Sequence, residues 1–321
     1  MTLKKLSEIT GYSISTLSKV FSDSKEISKD TKKEVIKLAK ELGVYEKYCK
    51  TPHKNKVIAV LTPELSSAFY NEIVTKIKGY CQKQNATVSV SVYNFSVKEE
   101  QDLITFYTTQ NKVDGIIIIT GNTRAKKYSS VPMVYFDGTA KNDYADTVKV
   151  DFSIGILETV QELKNNGHER IAFIGEVLTP TKQELFKQAM NKVGLPSCDV
   201  IIRKERFEQA GYLGAQELYE KGNLPTAIFC AYDYIALGVI DFLSTVGLKV
   251  PEDVSVVGMD DIKLASYKNI SLSSVAIGLE QTCKLLTDLV FDRISSPYKT
   301  LVKHVTVNSR FIQRGSVKKI N

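Results

Sequence analysis

The sequence predicts an α/β chain made of a small three-helix head and a two-lobed body with parallel sheets. Three observations point there. From Val57 onward, β-branched runs alternate with amphipathic segments, as strands do when crossover helices join them in parallel. The alternation comes in two successive blocks, which predicts two similar lobes with a cleft at the carboxyl ends of their strands. Residues 2–43 carry helical spacing alone. At 321 residues, with 43% hydrophobic and 25% charged residues, the chain has the length of about two domains and an ordinary globular composition.

In the head, Leu3, Leu6 and Thr10 share one face of a first helix, which Gly11 and Tyr12 break. Ser13 is placed to cap a second helix running to about Ser22. Ser28 is placed to cap a third, in which Val35, Leu38, Ala39 and Leu42 follow i, i+3, i+4, i+7 spacing and Gly43 supplies the stop. On the second helix, about 100° per residue puts Leu17, Val20 and Phe21 in one sector, facing a core. Ser15, Lys19 and Ser22 then lie opposite, flanked by Thr16 and Ser18. Alone, that helix reads as an amphipathic surface helix or as one whose small polar face enters a major groove. The short turn before it and the lysines of the third helix tip the reading to helix-turn-helix geometry.

In the body, the strand-like runs are 57–61, 88–93, 115–120, 133–136, 171–175, 200–202, 227–231 and 254–258. Helical patterns lie near 69–84, 97–110, 153–166, 182–193, 207–221 and 233–246.

Charge and rare residues narrow the chemistry. Residues 1–56 hold 13 lysines against seven acidic residues, a net +6, whereas the remaining residues are close to neutral at +1. A basic arm on a neutral body is either a solvated lysine face or a polyanion-binding head, and composition leaves both open. The five cysteines (Cys49, Cys81, Cys198, Cys230 and Cys283) include no CxxC, and the three histidines are far apart. Zinc and multi-histidine metal sites, and thioredoxin-like chemistry, have no candidates, so no cofactor is expected. Neither a P-loop nor a G-x-S-x-G elbow is present. No apolar run has the length of a membrane span and the N-terminus has no apolar core of a secretory signal, so the expected location is cytoplasmic, with no membrane partner.

The head resembles the LacI/GalR family of bacterial repressors. Thr2-Leu3, Leu6-Ser7-Glu8 and the run Gly11 to Ser22 follow its T-(I/L)-x-x-(V/L)-A-x-x-A-G-V-S-x-x-T-V-S-R-V-L-N pattern, and Ile27 to Lys32 follow its V-S-x-x-T-(R/K) continuation. The resemblance implies that Ile14, Ser15 and Lys19 read bases. It implies phosphate contacts from Ser13, Thr16, Ser18, Ser22, Ser28 and Thr31. Lys19 stands where the family has arginine, which removes the bidentate fork. In the family the next segment folds on operator DNA as a hinge helix and wedges a leucine into the minor groove. Here residues 46–56 hold Pro52 and neither leucine nor isoleucine. No more than one turn is expected there, with Tyr48 packed against its own head.

The body resembles the same family. Gly167 to Gly175 follow G-H-x-x-I-A-F-I-G, Pro225 to Cys230 and Asp233 to Gly238 follow P-x-A-I-F…N-D-x-x-A-x-G, and Pro251 to Asp261 follow P-x-D-(V/I)-S-V-V-G-F-D-D. Leu272 to Val275 resemble L-T-T-V. That implies a periplasmic-binding-protein type I fold crossed three times by the chain. It places effector contacts at Phe69, Tyr70, Asp137, Lys182, Tyr232 and Asp260. Lys182 replaces the family's arginine and Tyr232 its asparagine. Carboxylates suit sugar hydroxyls and aromatic faces suit pyranose carbons, so a sugar-like effector is expected.

The organisation expected is therefore a DNA-binding head at 1–45, a degenerate linker at 46–56 and an effector-binding body at 57–321. The N-lobe is expected at about 57–147 and 277–304, and the C-lobe at about 148–276 and 305–321. Functionally this implies a ligand-responsive regulator, not an enzyme, binding double-stranded operator DNA as a homodimer. The alternative is a degenerate member that senses a ligand but binds DNA weakly or nonspecifically.

Overall fold

A computed structural model describes residues 2–48, 55–110, 113–125, 129, 131–138, 142–196, 199–267, 269, 271–296 and 301–320. Most of the linker, including Pro52, and the positions of Cys49 and Cys198 lie outside the described residues. The chain forms two compact units, Met1–Lys56 and Val57–Asn321.

The first unit contains α1 (Leu3–Thr10), α2 (Ile14–Phe21), α3 (Lys29–Glu41) and the single turn α4 (Tyr45–Tyr48). Ser13 and Ser28 cap as expected, accepting from the amides of Thr16 and Thr31, and Thr2 caps α1 in the same way. Leu6, Leu17, Val20, Phe21, Val35 and Ala39 form its buried core, which is how a short helical head beats its backbone entropy. Tyr48 packs on this core, its ring 5.7 Å from that of Phe21. The packing of Tyr48 on its own head matches the sequence reading, and the rest of the expectation for the linker falls on residues 49–54, outside the described residues.

The second unit holds two six-stranded sheets. In chain order its elements are β1 (Lys56–Thr62), α5 (Ala68–Lys83), β2 (Ala86–Val92), α6 (Val97–Thr105), β3 (Gly115–Ile119), β4 (Met133–Phe136), β5 (Asp146–Asp151), α7 (Phe152–Asn165), β6 (Ile171–Glu176), α8 (Pro180–Lys192), β7 (Val200–Arg203), α9 (Phe207–Glu220), β8 (Ala227–Cys230), α10 (Asp233–Thr245), β9 (Ser255–Met259), β10 (Ser273–Ala276), α11 (Leu279–Ser295), β11 (His304–Asn308) and β12 (Arg310–Ile312). The N-lobe sheet runs β11-β5-β4-β3-β1-β2 and the C-lobe sheet β12-β10-β9-β8-β6-β7. The strand orders are equivalent position by position. β11 lies parallel to β5, whereas β12 lies antiparallel to β10.

The core explains why the central strands were legible. In β1 and β3, Ile58, Val60, Ile117 and Ile119 face α5 and α11, while Ala59, Leu61, Ile116 and Ile118 face the other side with Tyr107. A strand buried on both faces reads as a continuous apolar run. Short, polar or half-exposed strands do not. β11 alternates exposed and half-buried residues, β10 reads SSVA and β12 spans three residues, and these, with β5, fall outside the predicted runs. α11 was also missing from the expected helices, because polar residues dilute its buried positions Cys283, Leu286 and Val290.

The chain passes between lobes between Asp151 and Phe152, around Ile277–Gly278, and at Ser309. The first and third crossings come a few residues later than expected at 147 and 304, because β5 and β11 both complete the N-lobe sheet. In the C-lobe, α9 and α10 touch backbone to backbone. A Cβ on Gly211 would sit 1.9 Å from the Ile235 carbonyl oxygen, and one on Gly238 1.9 Å from that of Glu208.

Candidate functional site

The head presents a polar face on an apolar back. Leu17, Val20 and Phe21 are buried, while Ser15, Ser18, Lys19 and Ser22 are exposed and Ile14 keeps 46% of its surface. The Ser13 and Thr16 hydroxyls lie 2.9 Å apart at the start of α2, and those of Ser28 and Thr31 2.8 Å apart at the start of α3. Each pair stands beside the free amides of a helix N-terminus, a favourable place for a phosphate. One feature departs from the expectation of a free base reader. Lys19 is ion-paired with Glu26, and Lys32 donates to Asp23 at 2.6 Å. Both carboxyls are held below their usual range by hydrogen bonds from these lysines. Such exposed pairs contribute little and exchange easily.

In the body, the strands' carboxyl ends bring most of the predicted effector residues together. Asp137 follows β4 and Asp260 follows β9, the equivalent strand of the other lobe. Both adopt left-handed backbone, with φ 48° and 106°, as do Phe95, Thr120 and Phe207 at other strand ends or just beyond. Non-glycine residues held there cost of order 1–3 kcal/mol each and cluster at functional sites.

The C-lobe side is tightly wired. The Lys182 ammonium lies 3.2 Å from Asp260 Oδ1, donates to the Ala231 carbonyl at 2.9 Å and sits 4.1 Å from the centre of the Tyr232 ring. Burial pushes the Asp260 carboxyl up to about 6, against the pull of Lys182. On the N-lobe side, burial also raises Asp137, whose Oδ1 accepts the Val150 amide at 3.3 Å. Tyr70 is hydrogen-bonded to Thr120 at 3.4 Å, and its hydroxyl is raised by burial and, less, by Asp260, Glu64 and Asp137. Tyr232, the uncapped start of α10, is raised by burial and then by Asp260 and Tyr70. Tyr70, Asp137, Lys182, Tyr232 and Asp260 therefore share one electrostatic neighbourhood. Phe69 packs on Tyr70, ring centres 5.4 Å apart, and on the N-lobe core.

The sequence reading missed four residues of this region: Glu64, Phe95, Glu176 and Arg206. Arg206 binds Glu64 with two nitrogens, at 2.8 and 3.1 Å, and Glu176 through Nε at 3.0 Å. Its guanidinium lies 4.3 Å from the Phe207 ring centre and 5.7 Å from that of Phe95. Proximity to strand carboxyl ends was the available signal. Other motif residues are structural. His168 is buried and bonded to Thr226 and the Lys318 carbonyl, and Asp233 accepts from Ser274 at 2.6 Å and the Ile262 amide at 2.8 Å. Among the described residues no group of three or more His, Cys, Asp or Glu could hold a metal ion, and no helix is long and apolar enough to cross a membrane.

Residues 160–317 match the family model of the periplasmic binding protein-like domain. The chain is 27% identical to the ribose operon repressor of Haemophilus influenzae, over 95% of this chain and 96% of that one. It is 26% identical to the transcriptional repressor PurR of Vibrio vulnificus, over 100% and 99%. The fold is that of a LacI-family transcriptional regulator from Silicibacter pomeroyi, with TM-score 0.78, 20% identity and 99% of both chains covered. The chain is similar over almost its whole length to these transcriptional repressors, and its residues 160–317 carry the periplasmic binding protein-like domain. Its relatives are transcriptional repressors rather than enzymes, and the domain matched in its body is a ligand-binding fold.

Proposed function

We propose that this protein is a LacI/GalR-type regulator that represses transcription by binding operator DNA as a homodimer, under control of a small sugar-like effector held between the lobes of residues 57–321. The observation that carries the reading is the exposed face of α2, with Ile14, Ser15 and Lys19 aimed outward over a buried Leu17-Val20-Phe21 back. Ile14, Ser15 and Lys19 read base edges. Ser13, Thr16, Ser18, Ser22, Ser28 and Thr31 hold phosphates, which fixes register without reading sequence. One head covers too few bases for useful specificity, and a two-fold dimer supplies two half-sites. In the cleft, Asp137 and Asp260 accept hydroxyls, Lys182 donates, and Phe69, Tyr70 and Tyr232 offer ring faces. The name of the ribose operon repressor favours a sugar.

The second reading, a ligand sensor with weak or nonspecific DNA binding, is favoured by the Lys19–Glu26 pair and by a linker with no aliphatic wedge. Without that wedge the duplex stays nearly straight. Coupling between effector and DNA then falls at the low end of about 1–3 kcal/mol. The test is a thermal-shift screen of the full chain with pentoses, hexoses, sugar phosphates and nucleosides, each hit being carried into a gel shift on the DNA upstream of the chain's own gene. A hit that stabilises the chain, changes the shift and is lost in Asp137→Asn establishes the reading. A hit that stabilises the chain while upstream and random DNA shift alike establishes the second.

A further inference from the structure

The two lobes are joined by three short crossings, so the cleft opens or closes by rotation about them unless something else ties the lobes together. Arg206 is that tie. It precedes α9 in the C-lobe, where its Nε is held by Glu176, a side chain with no exposed surface, whose other oxygen accepts the Phe207 amide at 3.1 Å. Its two terminal nitrogens cross the cleft to both oxygens of Glu64, just beyond β1 of the N-lobe. Glu64 is itself fixed by the Ser66 hydroxyl at 2.9 Å and is 12% exposed. The two rings flanking the guanidinium come one from each lobe, Phe95 and Phe207, and both residues are held in left-handed backbone, φ 57° and 54°. Bidentate geometry on one side, a buried carboxylate on the other and a ring from each lobe make a strap with few alternative partners.

We infer that the Glu64–Arg206–Glu176 strap holds the cleft closed in the absence of any effector. The ligand-free body then rests closed, and an effector acts on a population the chain has already biased. The Lys182–Asp260 pair, by contrast, lies wholly within the C-lobe and does not span the lobes. The inference stands apart from the identity of the effector and from DNA binding.

The experiment is a spin-label distance measurement on the full, ligand-free chain. Labels go on Lys98→Cys in α6 and Lys187→Cys in α8, both exposed, in a background with Cys49→Ser and Cys198→Ser; Cys81, Cys230 and Cys283 are buried. The expected result is a short, narrow distance in the strapped chain and a longer, broader one in Glu64→Gln and in Arg206→Met. The shift in closed-to-open ratio is about thirtyfold or more, the lower end of what truncating one partner of a buried hydrogen-bonded charge pair does. Glu64→Gln leaves Glu176 paired, so it reports on closure even where Arg206→Met fails to fold. Circular dichroism checks folding in each case. A long distance in the strapped chain, or an unchanged short distance in folded Glu64→Gln, overturns the inference.

Discussion

Each lobe buries one carboxylate against one arginine, and the two arrangements differ in reach. In the N-lobe, Asp146 on β5 is 1% exposed and takes Arg293 of α11 on both oxygens, through Nε at 2.8 Å and through Nη2. Everything in that pair belongs to one lobe, and its work is to tie a helix to its sheet. In the C-lobe, Glu176 at the end of β6 takes Arg206, and the guanidinium continues across to the other lobe. The strand-end aspartates differ in the same sense. Asp260 is wired to a lysine, and Asp137 leans on a backbone amide. The shared strand order thus carries one lobe built for stability and another whose charges are committed at the cleft.

The largest expected effect breaks the N-lobe pair. Arg293→Met leaves Asp146 buried without its cation and should lower stability by about 3–5 kcal/mol in urea unfolding. It should leave the ligand-free label distance between Lys98→Cys and Lys187→Cys unchanged. A changed distance would mean that the N-lobe pair also governs closure.

Asp260 gives the next largest effect, through pH. Its folded pKa of about 6 stands above its ordinary 3.8, so the folded chain binds this proton more tightly than the unfolded chain does. The favourable contribution is present below 3.8 and is lost as pH rises through about 6. Relative to Asp260→Asn, the parent chain should therefore lose roughly 2–3 kcal/mol across that window. Lys182→Met should move the Asp260 titration upward, read by carboxyl NMR. A downward move would show that Lys182 does not hold the charge.

Asp137 should respond least. Asn at this position still accepts the Val150 amide and removes a charge that burial disfavours, so Asp137→Asn should change stability by no more than about 0.5 kcal/mol. Loss of effector-induced thermal shift in that folded variant would separate binding from folding. A retained shift would remove Asp137 from the site.

How much of this was legible follows from burial. Helices with a clean apolar sector, such as α2, and strands buried on both faces, such as β3, were read correctly because their periodicity is their packing. β10, β11 and β12 were invisible, since a short or half-exposed strand carries no apolar run. The cleft residues were reached through family motifs, and they fall directly after β4 (Asp137), directly after β9 (Asp260) and in the first turn of α8 (Lys182). Glu64 and Arg206 lie outside those motifs and 142 residues apart. No spacing rule joins such a pair; only the topology does. The Lys19–Glu26 pair was missed for a related reason, because it closes over a loop rather than along one helix.

The central claim, that the head reads sequence, is tested most directly by fluorescence anisotropy. The full chain is titrated onto the DNA upstream of its own gene and onto a scrambled duplex of equal composition, over a range of salt, with Lys19→Ala alongside. The account predicts a preference for the upstream duplex and a steep fall of affinity with salt on both. It predicts that Lys19→Ala loses about 1–3 kcal/mol of that preference while keeping most of the salt slope. Equal affinity for the two duplexes, or equal losses on both in Lys19→Ala, would contradict it.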